Sequence, residues 1–441
     1  MTDEGSPLAE RGTRWLSIVM VLLIASVVLS VFLPWLRPIG GILLLFVIFL
    51  GFPLLGRGQK ISITVLAGLG VVLAVWGVLR GNLPTFGAVF SINQEIVAMI
   101  LAVSFVSIVA NPEEGGPPRL SGIPAVFRTA VISHFLGSVI NLSAVNLIGD
   151  RLARGTKLSI PNALLLSRTY SMGAYWSPFW AAAAVALTFA PGANTTVLIL
   201  VGLVMAMLSL VLAVIGVVRR LGPDLEHYTG YGLSPTVVVI PLVLVVSVMT
   251  LHWAWPVVKT TNLVLMSSLA LTILLLAWRS PRRLFPILLE HVRTVLPRMR
   301  GESSLFAAAG VLAAGFAIFL PTTRFQLPDI EYGILLAWCS IILVITLSLF
   351  GVHQIITIGV LATILAPLNP NPTLFAMACT AAWGTSAALS PIGGLNLYIL
   401  GRYGISSLVL SRGNMLYGVG VVVIALFALM FVASLSEVGW W

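Results

Sequence analysis

The chain has 441 residues, of which 59% are hydrophobic and only 9% charged, and its mean hydropathy is +1.07. Soluble globular domains are about 45–50% apolar and about 25% charged, so the composition excludes an ordinary soluble domain and predicts an all-α polytopic membrane protein. The net charge of +10 comes from basic residues that fall mainly in short loops between apolar runs, where they meet anionic lipid. We therefore expect the lipid bilayer, and no nucleic acid, as the partner of these charges.

Apolar runs recur along the whole chain, many of them near the roughly 20 residues that a membrane-spanning helix needs. The first follows a polar segment with Arg11 and Arg14, and no small-residue cleavage site comes after it, so we interpret it as a retained span and not a signal peptide. Segment 284–300 mixes apolar and charged residues with two prolines, which favours a helix lying in the membrane interface. The runs lie near residues 15–33, 40–55, 61–79, 94–110, 124–217, 234–251, 260–278, 304–320, 331–366, 372–401 and 413–435.

Two nine-residue segments, 170–178 and 383–391, align without gaps. Both begin with an aromatic residue, continue with small residues and end in Ser-Pro. Each follows a histidine in an apolar segment, His134 lying 44 and His353 lying 38 residues before the proline. The same order of parts in both halves predicts an internal duplication, as in many secondary transporters.

Positive charge predicts how these parts cross the membrane. If segments 124–150 and 331–366 are re-entrant hairpins, each entering and leaving on one side, eleven spans remain. With a cytoplasmic N-terminus, 19 of the 24 Lys and Arg residues then face the cytoplasm, 4 face the outside, and Arg168 lies inside a span. A full crossing by the first hairpin would move the basic residues between 151 and 300 outside, against the positive-inside rule. The two halves therefore have opposite topology, which predicts an inverted repeat in an inner (cytoplasmic) membrane.

The predicted domain organisation follows from this repeat. It consists of N-terminal scaffold helices (1–93), a first repeat (94–217) with hairpin 124–150 and broken helix 160–190 between two spans, scaffold and interfacial helices (218–303), and a second repeat (304–441) with hairpin 331–366 and broken helix 372–401.

The paired Ser-Pro segments also predict a binding site. In lipid, a broken helix persists only where protein or a water-filled cavity surrounds it, and freed amides attract anions while freed carbonyls coordinate cations. A single Ser-Pro is more often an ordinary kink, but its recurrence in both halves favours a site. The predicted contacts to a small anionic solute are His134, Ser138, Asn141, Arg168, Ser171, Gly173, Ser177, His353, Gln354, Thr385, Ser386, Ser390 and Asn396. A coupling Na⁺ is expected near Ser138, Ser171, Thr357, Gly384 and Ser386.

Several of these residues have a second interpretation. Arg168 lies roughly 12 Å along its helix at about 1.5 Å per residue, so its side chain could contact a carboxylate or phosphate, or could extend to the inner interface. His134 and His353 could carry protons or contact the solute, or serve as packing residues. The acidic residues nearest the apolar runs stand at span ends, which supports Na⁺ at least as well as H⁺ as coupling ion: Glu95, Asp150 and Glu331.

No catalytic motif is visible, and Cys339 and Cys379 form no metal pattern. We therefore expect neither an enzyme nor a cofactor, but a cation-coupled secondary active transporter of a small organic anion such as a carboxylate. One alternative is the membrane subunit of a tripartite, binding-protein-dependent uptake system. Another is a lipid-handling flippase or an intramembrane enzyme, in which Trp176 and Trp180 would line a lateral opening.

The repeated hairpin and broken helix resemble the ion transporter superfamily, which includes the divalent anion/sodium symporters and the large membrane subunits of TRAP transporters. Segment 351–367 resembles the second hairpin of those proteins, and 390–397 is similar to the break that follows it. Where the symporter branch carries Ser-Asn-Thr at both tips, this chain has His353-Gln354 near one tip and residues 138–141 near the other. The resemblance implies a homodimer with an elevator mechanism, in which the hairpins, broken helices and their following spans move against a scaffold.

Overall fold

The computed structural model is 84% helical, and the residues that it describes contain no β-strand. These residues are 7–84, 93–110, 120–140, 142–153, 157–231, 236–323, 327–328, 330–436 and 438–439, with side chains described from residue 12 onward except at 143 and 236–238. Eight helices in this part of the chain are long and apolar enough to cross a membrane. The chain is therefore an all-α protein with the helices of a membrane protein.

Nineteen α-helices lie in the described residues. In chain order they are α1 (Pro7–Phe32), α2 (Arg37–Gly51), α3 (Arg57–Leu79), α4 (Gln94–Ser104), α5 (Gly122–Ile140), α6 (Leu142–Ala153), α7 (Ile160–Ser171), α8 (Gly173–Trp176), α9 (Ala181–Phe189), α10 (Thr195–Leu221), α11 (Thr236–Ala254), α12 (Thr260–Arg279), α13 (Leu284–Thr294), α14 (Arg300–Phe319), α15 (Ile334–Leu349), α16 (Gln354–Leu365), α17 (Pro372–Leu389), α18 (Gly394–Tyr403) and α19 (Ser407–Leu435).

Several helix boundaries differ from the apolar runs. Helix α1 is described from Pro7 onward, well before the apolar run, and the Leu, Ala, Glu and Arg that follow Pro7 are good helix formers. Three apolar helices in the described part of the chain are shorter than a full span: Gln94–Ile108, Ile334–Leu349 and Gln354–Leu368. The number of crossings, the inverted repeat and the repeat boundaries stay predictions.

The two predicted hairpin segments each contain two helices. In the first, α5 ends at Ile140 and α6 begins at Leu142, and residue 141 is outside the described residues. In the second, α15 and α16 are joined by a short turn in which Gly351 has φ +97°, a conformation that side chains disfavour. The predicted interfacial segment forms a separate helix, α13, whose Phe285 side chain is largely exposed.

The helices group into two compact units. The first comprises Met1–Val109, Thr250–Pro328 and Gly359–Pro367. Within it, α3 packs against α14 through glycines, because a Cβ at Gly70 would lie only 2.6 Å from the backbone oxygen of Val311. An ion pair of 2.8 Å between Lys259 and Glu95 joins α12 to α4.

The second unit comprises Ala110–Met249, Asp329–Ile358 and Leu368–Trp441. Its centre is α17, whose residues from Thr373 to Leu389 are all buried. Helix α17 carries small or apolar residues around its whole circumference, as expected for a helix enclosed by protein. This unit contains both Ser-Pro segments and both histidines singled out in the sequence.

Candidate functional site

The first Ser-Pro segment interrupts a helix between α8 and α9. The backbone of Ser177 is extended (φ −75°, ψ 123°), and a new helix begins at Ala181. Proline has no N–H to donate and disfavours a helical residue before it, so the helix ends at the residue preceding Pro178. The predicted break is present at this position.

The second Ser-Pro segment has nearly the same local geometry. Ser390 is extended (φ −66°, ψ 123°), and α18 begins at Gly394 after the same three-residue interval that separates Ser177 from α9. The backbone hydrogen bonds that close the two turns also match. Trp180 N donates to Ser177 O, and Gly393 N donates to Ser390 O, each at a distance of 3.2 Å. Helix α17 stays helical through the small residues of the repeated segment as far as Leu389, because between Pro372 in its first turn and Pro391 it contains no proline.

Each break is tied to a hairpin helix by its serine hydroxyl. Ser177 Oγ donates to the backbone oxygen of Ser138 at 2.5 Å, and Ser390 Oγ donates to that of Ser348 at 2.8 Å. Both acceptors stand in the last turn of a helix, α5 and α15, where carbonyl groups lack intrahelical partners. The serines therefore cap the hairpin helices, and the breaks lie beside the ends of those helices.

His134 is fully buried between the first hairpin and the first break. Trp176 Nε1 donates to His134 Nε2 at 3.0 Å, and His134 Nδ1 contacts the backbone oxygen of Thr169 at 3.1 Å. Because indole N–H can only donate, Nε2 must be the acceptor and Nδ1 the donor. The ring is therefore held as the neutral Nδ1–H tautomer, with both nitrogens engaged by the fold.

His353 is held differently. Its ring packs edge-on against Trp383 with 5.7 Å between centroids, and its Nδ1 accepts a hydrogen bond from Ile355 N at 3.3 Å. Among the described residues, its Nε2 has no hydrogen-bond partner, and the side chain is only half-buried. Both histidines thus contact a tryptophan of the Ser-Pro helix in their own half, but His353 keeps one ring nitrogen available.

Arg168 is 4% exposed and does not extend to the surface of the unit. Its Nε donates to Asn414 Oδ1 and its Nη2 to Gly413 O, both at 2.8 Å, and its guanidinium lies 5.1 Å from the ring centroid of Tyr417. It forms no ion pair with any described residue. The guanidinium therefore anchors α7 to α19 and leaves an uncompensated positive charge inside the unit.

Two asparagine side chains donate hydrogen bonds to the backbone carbonyl groups that the second break leaves without helical partners. Asn396 Nδ2 donates to Ala388 O and Ser390 O, and Asn414 Nδ2 also donates to Ala388 O, each at 2.9 Å. The remaining amide oxygen of Asn396 accepts from Ser167 Oγ at 3.2 Å. Asn396, predicted as a solute contact, is thus engaged by the fold, and Ala388 O is saturated by two amides.

Some of the other predicted contact residues form hydrogen bonds within the protein, and others have a buried hydroxyl without a hydrogen-bond partner in the described residues. Ser138 and Ser171 donate to backbone oxygens of their own helices. Thr385 Oγ1 bonds to Ala381 O at 2.8 Å and lies 3.3 Å from Tyr175 Oη. By contrast, Ser386 Oγ and Thr357 Oγ1 are buried without a hydrogen-bond partner in the described residues. Within this group of predicted contacts, these two hydroxyls have oxygens without a partner in the described part of the chain.

The predicted glycines serve close packing in the structure. A Cβ at Gly173 would lie 2.5 Å from Trp180 Nε1, and one at Gly384 would lie 2.8 Å from Ser171 O. Gln354 is 6% exposed on the first turn of α16. Asn141 lies outside the described residues, so its predicted role is untested by the geometry.

Sequence reasoning missed Asn414, Tyr175 and Tyr417. Asn414 is fully buried near the start of α19. The signal in the sequence that could have indicated it is a lone amide side chain at the start of an apolar run.

No group of three or more His, Cys, Asp or Glu side chains in the described residues could hold a metal ion. No protein-family model matches the chain, and a search of the curated proteins found no match.

Proposed function

We propose that this protein is a cation-coupled secondary active transporter of a small organic anion, such as a carboxylate, in a cytoplasmic membrane. The matched pair of breaks carries the proposal. Ser177 and Ser390 end their helices with the same backbone geometry and cap the last turn of a hairpin helix in the same way. Duplicated broken helices of this kind suit a binding site that opens alternately to the two sides of a membrane. A catalytic centre would need only one broken helix.

The anionic substrate is supported by the charge around the breaks. Each break is followed by the N-terminus of a new helix, at Ala181 and Gly394, and helix N-termini carry partial positive charge. Arg168 adds a full positive charge without a carboxylate partner among the described residues. We assign Arg168 a positioning role in this unit, since its contacts are to the protein.

We favour Na⁺ as the coupling ion. His134 is fixed as the neutral tautomer by two hydrogen bonds, so protonating it would break the contact with Trp176. Ser386 and Thr357 instead offer two buried hydroxyl oxygens without partners in the described residues. Neutral oxygens of this type suit Na⁺, which secondary transporters bind at unwound helix segments.

We further propose that the chain works as the ion transporter superfamily does, by an elevator movement in a homodimer. The division into two compact units supports this, because the second unit holds the first hairpin, both breaks and the spans α10 and α19 that follow them. The first unit holds α1 to α4 and α12 to α14, which correspond to the proposed scaffold, and also residues Gly359–Pro367 of the second hairpin, which the elevator model assigns to the moving part.

Uptake into proteoliposomes tests the proposal. Purified protein is reconstituted, and accumulation of radiolabelled mono-, di- and tricarboxylates is measured under an inward Na⁺ gradient, a proton gradient, or neither. Accumulation of one carboxylate that requires a cation gradient is expected. Absence of uptake for every anion under every gradient contradicts the proposal. Uptake that requires an added soluble binding protein would indicate the tripartite alternative, and movement of labelled phospholipid between leaflets the lipid-handling one.

The Na⁺ assignment has its own variant test. Ser386→Ala should raise the Na⁺ concentration for half-maximal uptake at least tenfold, because it removes an unpartnered buried oxygen. Ser434→Ala is the matched control, since Ser434 Oγ bonds within its own exposed helix turn. An unchanged Na⁺ dependence in Ser386→Ala would remove this residue from the cation site.

A further inference from the structure

A short segment that follows α10, residues 228–231, packs against the first hairpin. Tyr231 N donates to Thr129 Oγ1 of α5 at 2.9 Å. Gly230 lies so close to α5 that a Cβ there would come within 2.5 Å of Ala125 O. The segment is therefore fixed against the first two turns of α5, and the side chain of Tyr231 is only 5% exposed.

Arg151, near the end of α6, lies over the ring of Tyr231, with 5.0 Å between its guanidinium carbon and the ring centroid. Its neighbour in the chain, Asp150, does not compensate this charge, because the Asp150 carboxylate is bound by Arg402 and Tyr403. Arg151 forms no ion pair with any residue that the structure describes. Its positive charge is therefore available to a ligand beside Tyr231.

A second arginine, Arg128, lies on the face of α5 that segment 228–231 covers. It is three residues after Ala125 and next to Thr129, and residues three and four apart share a helix face. The Nε and Nη2 atoms of Arg128 are buried without a hydrogen-bond partner in the described part of the chain, and so is Tyr231 Oη. Since buried polar groups nearly always have a partner, these N–H and O–H groups point to an acceptor that a ligand supplies.

We propose that Arg128, Arg151 and Tyr231 bind a phosphate group at the first hairpin, carried either by an anionic lipid or by a soluble phosphate. Two guanidinium groups without an ion-pair partner in the described residues match the charge of about −1.5 to −2 of a phosphate monoester at neutral pH. Arginine donates through a planar fork that fits phosphate oxygens, and Tyr231 Oη adds a hydroxyl donor. In the predicted topology both arginines face the cytoplasm. The proposal is independent of the transport function, because none of the three residues belongs to the breaks.

Two binding measurements on the purified full-length protein in neutral detergent test the proposal and separate the two sources. Inorganic phosphate is titrated by calorimetry, and dioleoyl phosphatidate is titrated by native mass spectrometry with dioleoyl phosphatidylcholine as reference. The wild-type protein should bind at least one of the two phosphate probes. Binding of inorganic phosphate assigns the site to a soluble phosphate, and retention of phosphatidate alone, in preference to phosphatidylcholine, assigns it to a lipid headgroup. Binding of neither probe overturns the proposal.

Three variants test the residues of the site with whichever probe binds. Arg128→Gln and Arg151→Gln should each weaken binding by about tenfold or more, because each removes charge-assisted hydrogen bonds. Tyr231→Phe removes only a hydroxyl group without a partner in the described residues, so it should fold normally and weaken binding by about threefold. It therefore tests the site even if Arg128→Gln does not fold. Arg219→Gln is the matched control, because Arg219 is an exposed arginine in the last turn of α10. Unchanged binding in any of the three variants, or an equal loss in Arg219→Gln, overturns the proposal.

Discussion

The hydroxyl group of Ser390 donates a 2.8 Å hydrogen bond to the backbone oxygen of Ser348, 42 residues earlier in the chain. In the other half of the second unit, Ser177 makes the corresponding bond to Ser138, 39 residues earlier. Each donor precedes a proline that ends its helix, and each acceptor is a last-turn carbonyl of a hairpin helix. In each half one side chain thus donates to a carbonyl at a helix end and connects a break to its hairpin, and Ser348 O also accepts from Gly351 N at 3.1 Å.

Removing either serine hydroxyl should weaken this connection by a similar amount. Ser177→Ala and Ser390→Ala each remove one buried side-chain hydrogen bond, which contributes about 0.5–1.5 kcal/mol. Unfolding in detergent, followed by tryptophan fluorescence, should show comparable losses in the two variants. Ser434→Ala serves as control, since its hydroxyl bonds only to an exposed turn of α19. A loss in one variant alone would contradict the equivalence of the two breaks.

Arg168→Gln should destabilise the protein whether or not a solute is present. The substitution removes the donors to Asn414 Oδ1 and Gly413 O, and each buried acceptor left unpaired costs about 1–3 kcal/mol. Arg220→Gln changes an exposed arginine of α10 and should have little effect. If Arg168→Gln folds with normal stability but no longer binds anions in a thermal-shift assay, Arg168 contacts the solute directly.

The breaks could be predicted from the sequence because their cause is local. Proline has no N–H and restricts the residue before it, so Ser177-Pro178 and Ser390-Pro391 end helices in any surroundings. The extent of the second break was not predictable in the same way, since the small residues of 384–389 are compatible with either a helix or an open segment.

The surroundings of Arg168 could not be predicted, because its partners lie far away in the chain. Asn414 is 246 residues later, and no local pattern indicates which helices pack together. Sequence reasoning offered a solute contact or an extension to the interface, whereas the structure shows a third arrangement, a buried anchor between helices. Gly173 and Gly384 illustrate the same point, since a glycine permits close approach by a ligand or by another helix.

His134 should not determine the pH dependence of transport. Its two ring nitrogens are engaged, one by Trp176 and one by Thr169, so the ring has no free position for a proton. His134→Asn should lower activity through lost packing but leave the shape of the pH profile between about 5.5 and 8.5 unchanged. His353→Asn is the informative comparison, because His353 Nε2 has no partner among the described residues. A profile that flattens in His134→Asn would identify His134 as a proton carrier.

The exposed cluster of Asp150, Arg402 and Tyr403 should make stability depend on pH only under acidic conditions. Arg402 Nη2 lies 2.6 Å from Asp150 Oδ2, and Tyr403 Oη donates to Oδ1 at 3.0 Å. The hydrogen bond from Arg402, followed by that from Tyr403, lowers the pKa of the Asp150 carboxyl. The folded form therefore binds this proton more weakly than the unfolded chain, so the stabilisation is complete above the ordinary pKa of about 4 and disappears as the pH falls through the lower folded value.

Asp150→Asn should consequently lower stability at pH 7 by no more than about 1 kcal/mol, since the pair is nearly half exposed and screened by solvent. The difference between wild type and variant should shrink as the pH falls below about 4, because the wild-type carboxyl is then protonated as well. It should also shrink in 1 M salt, where the Debye length is only about 3 Å. Chemical unfolding at pH 7 and at pH 3, each at low and high salt, measures all four values. A difference that is constant across these conditions would show that Asp150 acts through packing and not through its charge.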